Sequence, residues 1–595
     1  MKPHRRPRGV LWTAAVMAAL VISFSGCSRN EEVTTVTLIT VPSTVTAGQS
    51  VSLTALVNND SSDAGLDWSC SGASCGTFAP THTASGAATV YTAPATPGSV
   101  TITATSTAHG AGRASLDIAV VPAASNALLQ GTYVFSVQGE NGSGSYAAAG
   151  TFVADGAGLI TAGEQDFADE SRQAGPDSLT GYYAIGPDGR GSLTLDAHDT
   201  GLPQDGVETF SISVVSPSHA LLIQFDATAS SSGSLDLQAS SALDPAAISG
   251  PFAFVTQAFD IANQVPIGRG GVLSLSASSG TVSSGSYFEN DGGSTFSAPT
   301  TGTLTAPDAF GRGTLNLSVG VSFIYYAVQG RVLRVLESAF PDFVGGGSLY
   351  GQGDAGVSAT FTDASLFGSY VIAGAGGTGH GALALAGQFS ADGAGGFATG
   401  IVDLNNAGVV TVDSIAGPAR YSITGAGVGT LDLPPAVDQL GSVQALRFFL
   451  VDPLINLLDP NAASGGGGAL VLDFDTGAVS AGQILPQSAG SLDGDYALDF
   501  QFVSSRGETD WVGRSVAAGG AFTGTLDVNE TGLISAGQVL AGSSAADAAN
   551  PGRWTGSLIG RGLTHRVTFF QVSASRTVFV DTDGADVGIG SLEKQ

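Results

Sequence analysis

Between Val36 and Val121 apolar residues alternate with threonine and serine, as in Val36-Thr37-Leu38, Val51-Ser52-Leu53-Thr54-Ala55-Leu56-Val57 and Val100-Thr101-Ile102-Thr103-Ala104-Thr105. A period of two sends one side of each run into a core and the other into water, the pattern of half-buried antiparallel strands. Turn signals at Ala47-Gly48-Gln49, Asn58-Asn59-Asp60 and Thr96-Pro97-Gly98 separate the runs. The stretch 36–121 therefore predicts a small β-sandwich.

Beyond it the chain repeats itself. Four segments open alike, at Leu129-Gln130-Gly131-Thr132-Tyr133, Ile248-Ser249-Gly250-Pro251-Phe252, Leu366-Phe367-Gly368-Ser369-Tyr370 and Leu492-Asp493-Gly494-Asp495-Tyr496. A second phrase, Gly158-Leu159-Ile160-Thr161-Ala162-Gly163, returns as Gly532-Leu533-Ile534-Ser535-Ala536-Gly537, with looser forms at 280–285 and 395–400. A third, Gly191-Ser192-Leu193-Thr194-Leu195, returns at Gly313 and Gly429 but has no clean copy in the last unit. Each unit closes on a strand ending in glutamine (Gln238, Gln352, Gln487, Gln595), so the array is expected to be complete. The units, 127–238, 247–352, 364–487 and 490–595, are too long for solenoid repeats and read as whole domains.

The first unit divides into eight short strands, near 133–138, 146–154, 160–167, 181–185, 192–195, 209–215, 220–225 and 234–238. Asp155-Gly156 and Asp188-Gly189 are hairpin signals, because Asp-Gly tolerates the positive φ of type I′ turns. Sequential hairpins make a meander, and eight strands remove their exposed edges most simply by closing into a small up-and-down barrel. The predicted fold is thus all-β: an N-terminal sandwich, then four tandem eight-stranded antiparallel modules, with open sandwiches as the alternative to barrels. Short polar linkers at 239–246 and 353–364 suggest beads on a string.

Composition agrees with a folded, turn-rich chain. Glycine supplies 85 of 595 residues, about twice the ~7% average, and charged residues are 12%, about half the usual share. The formal charge is −29, and without residues 1–26 Lys594 is the only lysine. Such a surface repels phosphate backbones, which excludes nucleic-acid binding. The start is different: basic residues (Lys2, Arg5, Arg6, Arg8), then an apolar run from Val10 to Phe24, too short to span a bilayer as a helix and suited to an export signal.

Three stretches resemble known families. Ser25-Gly26-Cys27 resembles the lipobox of bacterial lipoproteins, with Phe24 where that family usually has leucine. The resemblance implies a signal peptide of 1–26, lipidation of Cys27, a tether of 27–35 and a membrane held through the lipid. Ser28 after the cysteine, with no aspartate there, implies onward sorting to an outer membrane or cell surface. Ala47-Gly48-Gln49-Ser50-Val51, Trp68 as a core tryptophan, Tyr91-Thr92-Ala93-Pro94 and Thr101-Ile102-Thr103-Ala104-Thr105-Ser106 resemble the Ig-like domains of bacterial surface proteins. That likeness implies a spacer or adhesive module. The Gly-x-Tyr/Phe openings are similar to the first strand of lipocalin-like and avidin-like barrels but lack their tryptophan. It implies a shape, not a ligand.

Candidate chemistry is sparse. Cys70 and Cys75, in an exported chain, are expected to form a disulfide closing a surface loop. The string Gly72-Ala73-Ser74-Cys75-Gly76 matches a hydrolase nucleophile elbow, but in an all-β domain it lacks the required strand-to-helix turn. Gly351–Gly356 and Gly374–Gly379 satisfy G-x-G-x-x-G and read as turns. Six histidines follow the signal, and none recurs in register. Glu164, Asp166, Asp169 and Glu170, with Asp403 in the place of Asp166 and Leu540 at that place in the last unit, are the candidates for carboxylate chemistry on a glycan. Asp581, Asp583 and Asp586 partly resemble a calcium loop, at the position of a final hairpin turn; no other cofactor is implied. Tyr133, Phe252, Tyr370 and Tyr496 are the candidate ligand-lining residues if the barrels are hollow; otherwise they fill the barrel floor.

These readings lead to an expectation of a non-enzymatic surface lipoprotein acting as an extended display or adhesion array toward a glycan or protein partner. The alternatives are barrels that bind a small apolar molecule or glycan, and a polysaccharide hydrolase.

Overall fold

The computed structural model describes residues 34–595 except 73, 109–111, 122, 199–205, 339–340, 416–419 and 433–444. The export segment, Cys27 and His109 lie outside the described residues. Among those described, no helix is long and apolar enough to cross a membrane.

The first domain is a sandwich of two sheets. Thr35–Thr40, Ser50–Asn58, Thr89–Thr92 and Thr77–Ala79 form one; Thr44–Thr46, Arg113–Val121, Gly98–Ser106, Leu66–Gly72 and His82–Thr83 form the other. Leu53, Trp68, Tyr91 and Ile102 meet between them, and the Trp68 indole donates to Thr83 Oγ1 at 3.1 Å. Cys70 and Cys75 form a disulfide with Cα atoms 5.9 Å apart.

Four eight-stranded antiparallel meanders follow. Strands within Ser249–Gly351 and within Gly494–Lys594 close into barrels. In the first module the fourth strand is broken at Leu179 into Arg172–Ser178 and Thr180–Ile185, and the ring of pairings still closes. In the third, a single bridge between Gly396 and Arg420 completes the circuit. The hairpin turns differ from the type I′ expectation: Asp155 keeps negative φ, and its carboxylate accepts the amides of Ala157, Gly158 and Leu159. The two G-x-G-x-x-G strings are also not simple turns. Gly353–Val357 is one α-helical turn in a linker, and Gly374–Thr378 lies on the strand Phe367–Thr378.

The barrel interiors are filled with side chains. Tyr133 packs on Phe152, Tyr370 on Phe389, and Phe252 and Tyr496 are buried in the cores of their own barrels. Alternation explains these inward faces, but several strands are apolar on both faces: Phe323-Ile324-Tyr325-Tyr326-Ala327-Val328 and Val578-Phe579-Val580 are buried throughout. Such runs need a partner outside the barrel. They find it in one apolar cluster drawn from all four barrels, including Val134, Tyr326, Phe449 and Phe570.

The modules are therefore not beads on a string. They form a closed ring in which each barrel docks on the next and the fourth docks on the first. Three devices repeat around it. The glutamine ending each module donates to a strand carbonyl of the next: Gln238 to Ala327 O at 2.9 Å, Gln352 to Leu450 O at 2.9 Å, Gln487 to Gln571 O at 2.9 Å. Gln595 donates back to Val214 O of the first barrel at 2.7 Å. An asparagine at the end of the third strand clamps three carbonyls in a turn of the following barrel. Asn290 holds those of Asp473, Asp475 and Ala478; Asn405 those of Asp581, Asp583 and Asp586; Asn529 those of Gln224, Asp226 and Ala229. The first barrel has Ala168 at this place, packed against Leu336 and Val344. Two residues before the asparagine, Asp166, Asp403 and Asp527 meet Arg312, Arg553 and Arg190 of the next barrel. The remaining joint replaces aspartate by Phe288, tilted against Phe449 and edge-on to Phe474, where Val428 stands in place of arginine.

This register corrects the equivalence drawn from the sequence. Gly158–Gly163 opens the third strand of its barrel, whereas Gly532–Gly537 opens the fourth, so the residue matching Asp166 in the last module is Asp527, not Leu540.

Candidate functional site

Where the four barrels meet, the first and last strands of each face the ring axis. Seven residues after each opening glycine stand Gln138, Gln257, Ala375 and Gln501, three amides and one alanine. Gln138 Oε1 accepts the amide of Gly346 at 3.0 Å, and Gln257 donates to Ala375 O at 3.3 Å. Close approach of strands is paid for in glycine: a Cβ on Gly376 would lie 2.1 Å from Val479 O, and one on Gly482 2.1 Å from Ala373 O.

Between the barrels the axis opens into a cavity of about 390 Å³. A second, of about 400 Å³, adjoins it and shares Gln138, Ser232, Ala375, Gln501 and Ile589. One end of the first is covered by residues 451–468 of the third barrel, the connection between Ala445–Leu450 and Ala469–Asp473, which places Leu457 and Leu458 on the cavity wall. This connection is pinned to every other barrel. Arg331 of the second binds Asp452 at 2.7 Å, Arg576 of the fourth binds Asp459 at 3.1 Å, and Asn461 donates to Leu237 O of the first at 3.1 Å.

Beneath it lies a buried charge network contributed by all four barrels. His219 Nδ1 is 2.8 Å from Asp236 Oδ1, and Arg334 Nη2 is 2.6 Å from Asp236 Oδ2. Arg576 Nε is 3.0 Å from Glu593 Oε2 and Arg576 Nη1 donates to Asn456 Oδ1 at 2.6 Å. Burial acts to raise the Asp236 carboxyl, but the Arg334 guanidinium and the His219 ring outweigh it and hold it at about 2. Burial acts to lower His219, yet Glu593 and Asp236 outweigh it and lift the ring to about 10, so it is a cation at neutral pH. Three cations (His219, Arg334, Arg576) thus face three anions (Asp236, Asp459, Glu593). His219 Nε2 remains without a hydrogen bond, 3.6 Å from Glu593 Oε1, although the residue is 1% exposed.

The seam between the fourth and first barrels is acidic. Burial raises Asp499 to about 6, against hydrogen bonds from Ser591, and raises Asp226 to about 6 and Glu208 to about 7. Glu508 and Asp510 are pushed up together by burial and by neighbouring carboxylates.

Two groups of side chains have the composition of a metal site. His219, Asp236 and Asp459 are one, but Arg334 and Arg576 already neutralise the carboxylates. The other joins His565 to the calcium candidates Asp581, Asp583 and Asp586. His565 Nδ1 is 2.8 Å from Asp581 Oδ2, the Asp583 carboxylate accepts the amide of Ala585, and the three loop carbonyls face Asn405. The ligand atoms of these four side chains lie within 4.8 Å of one another, while the carbonyls of the loop are taken up by Asn405 in the barrel joint.

Four of the five carboxylates considered for glycan cleavage are likewise used; the exception is Glu164, whose Oε1 is buried without a hydrogen bond and which burial, with Asp308 beside it, raises to about 7. Asp166 takes two hydrogen bonds from Arg312 at 2.6 and 2.8 Å and one from Tyr326, while Asp403 takes two from Arg553. Asp169 and Glu170 accept from Asn141 and from the amide of Ser145 in the adjoining hairpins. What the sequence reading missed is the axis itself. Its residues come from all four modules, and the one local signal was the glutamine recurring seven positions after three of the four opening glycines.

No protein-family model matches the chain, and no curated protein sequence is similar to it. Solved structures give distant matches. CghA is 9% identical, with 58% of this chain and 88% of that one covered and a TM-score of 0.16. The transferrin binding protein B Trp-176-Ala mutant from Haemophilus parasuis Hp5 is 8% identical, with 83% of each chain covered and a TM-score of 0.13. A protein described as AttH from Nitrosomonas europaea is 10% identical, with 60% of this chain and 92% of that one covered and a TM-score of 0.13. None of these values places the chain in a family.

Proposed function

We propose that the protein is a non-enzymatic lipoprotein, exported and anchored through Cys27 to the outer side of a membrane, whose Ig-like sandwich and four repeated barrels form one rigid interaction body. The observation that carries this reading is the use made of recurring polar residues. A catalytic group shared by repeats would recur in register and face solvent or a cleft. Here the groups that do recur (Asp166, Asp403 and Asp527, their arginines, the asparagine clamps and the terminal glutamines) hold barrel to barrel. The sandwich is fixed to the first barrel in the same manner, through Thr44 Oγ1 to Ala184 O at 3.1 Å and Thr46 Oγ1 to Asn126 Oδ1 at 2.9 Å. The anchoring half rests on the basic, apolar and Ser25-Gly26-Cys27 succession at the start. Fractionation of cells expressing the native chain and Cys27→Ser tests it. The native chain is expected in the membrane fraction and the variant in the soluble exported fraction; equal membrane retention of both would reject lipid anchoring.

A further inference from the structure

We infer that the axial cavity beneath residues 451–468 is a binding site for a small, neutral, polyhydroxylated molecule of the size of a mono- or disaccharide. The cavity, at about 390 Å³, falls within the ~300–1,000 Å³ typical of small-molecule sites. Its wall carries two cations, His219 and Arg334, and two carboxylates, Glu593 and Asp499, so a ligand of either sign would lie against a like charge. The unfilled hydrogen-bonding capacity is of another kind. His219 Nε2–H has no acceptor, and the nearest, Glu593 Oε1, stands 3.6 Å away, too far for a direct bond. A hydroxyl set on the cavity side of both atoms accepts from the ring and donates to the carboxylate. Around this pair the wall carries further groups suited to hydroxyls, Gln138, Gln483, Gln501 and Ser234, opposite Leu457 and Ile589, which suit the apolar face of a sugar ring.

Asymmetry of the ring points the same way. Three modules send a glutamine toward the axis and the third sends Ala375, flanked by Gly374, Gly376 and Gly377. The third barrel therefore leaves open the volume that a fourth amide would take. It also contributes the covering connection at 451–468.

Calorimetric titration of the chain from Ser28 to Gln595 with glucose, N-acetylglucosamine and maltose, beside spermidine and sodium acetate as charged controls, tests the inference. At least one of the three sugars is expected to bind, and neither control. Ala375→Gln should weaken that binding ~10-fold or more while the unliganded melting temperature stays unchanged; Gln483→Ala, at a half-buried site, should weaken it by ~10-fold through a lost hydrogen bond. Absence of binding by all three sugars at about 10 mM, preference for a charged control, or binding to both variants equal to that of the parent would each overturn it. Lipid anchoring plays no part in this experiment, so its outcome is independent of the proposal above.

Discussion

Asp166 and Arg312 belong to different barrels and share two hydrogen bonds at the first joint, with Asp166 buried and Tyr326 donating to it as well. Removing one partner of a buried pair leaves an uncompensated charge, so Arg312→Ala should cost about 3 kcal/mol or more. The joint between the second and third barrels solves the same contact with Phe288 and Val428. Asp166→Phe combined with Arg312→Val and with Tyr326→Phe, which matches Phe449 of the apolar joint, should therefore recover most of the loss, and urea denaturation of the single and triple variants measures it. Residue-scale chemistry also sets a pH trend. A carboxyl that titrates higher in the folded chain than the ~4 of an unfolded one binds its proton more tightly when folded. Its contribution is complete below about pH 4 and is lost as pH rises through the folded value. Asp226 and Asp499 at about 6 and Glu208 at about 7 behave so. His219, lifted to about 10, holds its contribution below its ordinary value of ~6.5 and loses it as pH rises to 10. Thermal stability should thus fall from pH 5 to pH 9, and Asp499→Asn should flatten the lower part of that fall. A melting temperature that rises over this range would contradict the burial of these carboxyls.

At the scale of elements, three of the four joints hold a turn with one asparagine. Asn529 satisfies three carbonyls of the turn after Gln224, and a buried carbonyl left without a donor costs about 1–3 kcal/mol. Asn529→Ala should speed amide exchange in 224–229, and Asn405→Ala in 581–586, each leaving the other turn protected. Much of this level was legible. Opening phrases marked the first strands, alternation marked the inward faces, and the glutamines marked the module ends. Six of the eight expected strands of the first unit fall inside the observed ones, such as 133–138 within Gln130–Asn141, and 220–225 and 234–238 overrun theirs by one residue. What misled was the string shared by Gly158–Gly163 and Gly532–Gly537. Every hairpin of a meander needs the same turn glycines and the same alternation, so a similar string can serve the third strand in one barrel and the fourth in another. Partners such as Arg553 and Asp403 lie 150 residues apart, and nothing local to either names the other. The sequence did carry one sign of the joints in its fully apolar strands, such as 323–328, which a free barrel would expose.

For the whole molecule, short polar linkers suggested a string of domains, yet the linkers here turn the chain from one barrel onto the next. The ring closes through Gln595, Asn529 and the Arg190–Asp527 pair, the same devices that join consecutive modules. Closure of residues far apart in sequence creates the axis, the buried charge network and the cavity, none of which any module holds alone. Small-angle X-ray scattering of the soluble chain from Ser28 to Gln595 tests this closure most directly. The closed ring requires a radius of gyration of about 24–27 Å, as for a single globular body of this length. A value near 50 Å, which five domains in a row would give, would contradict it.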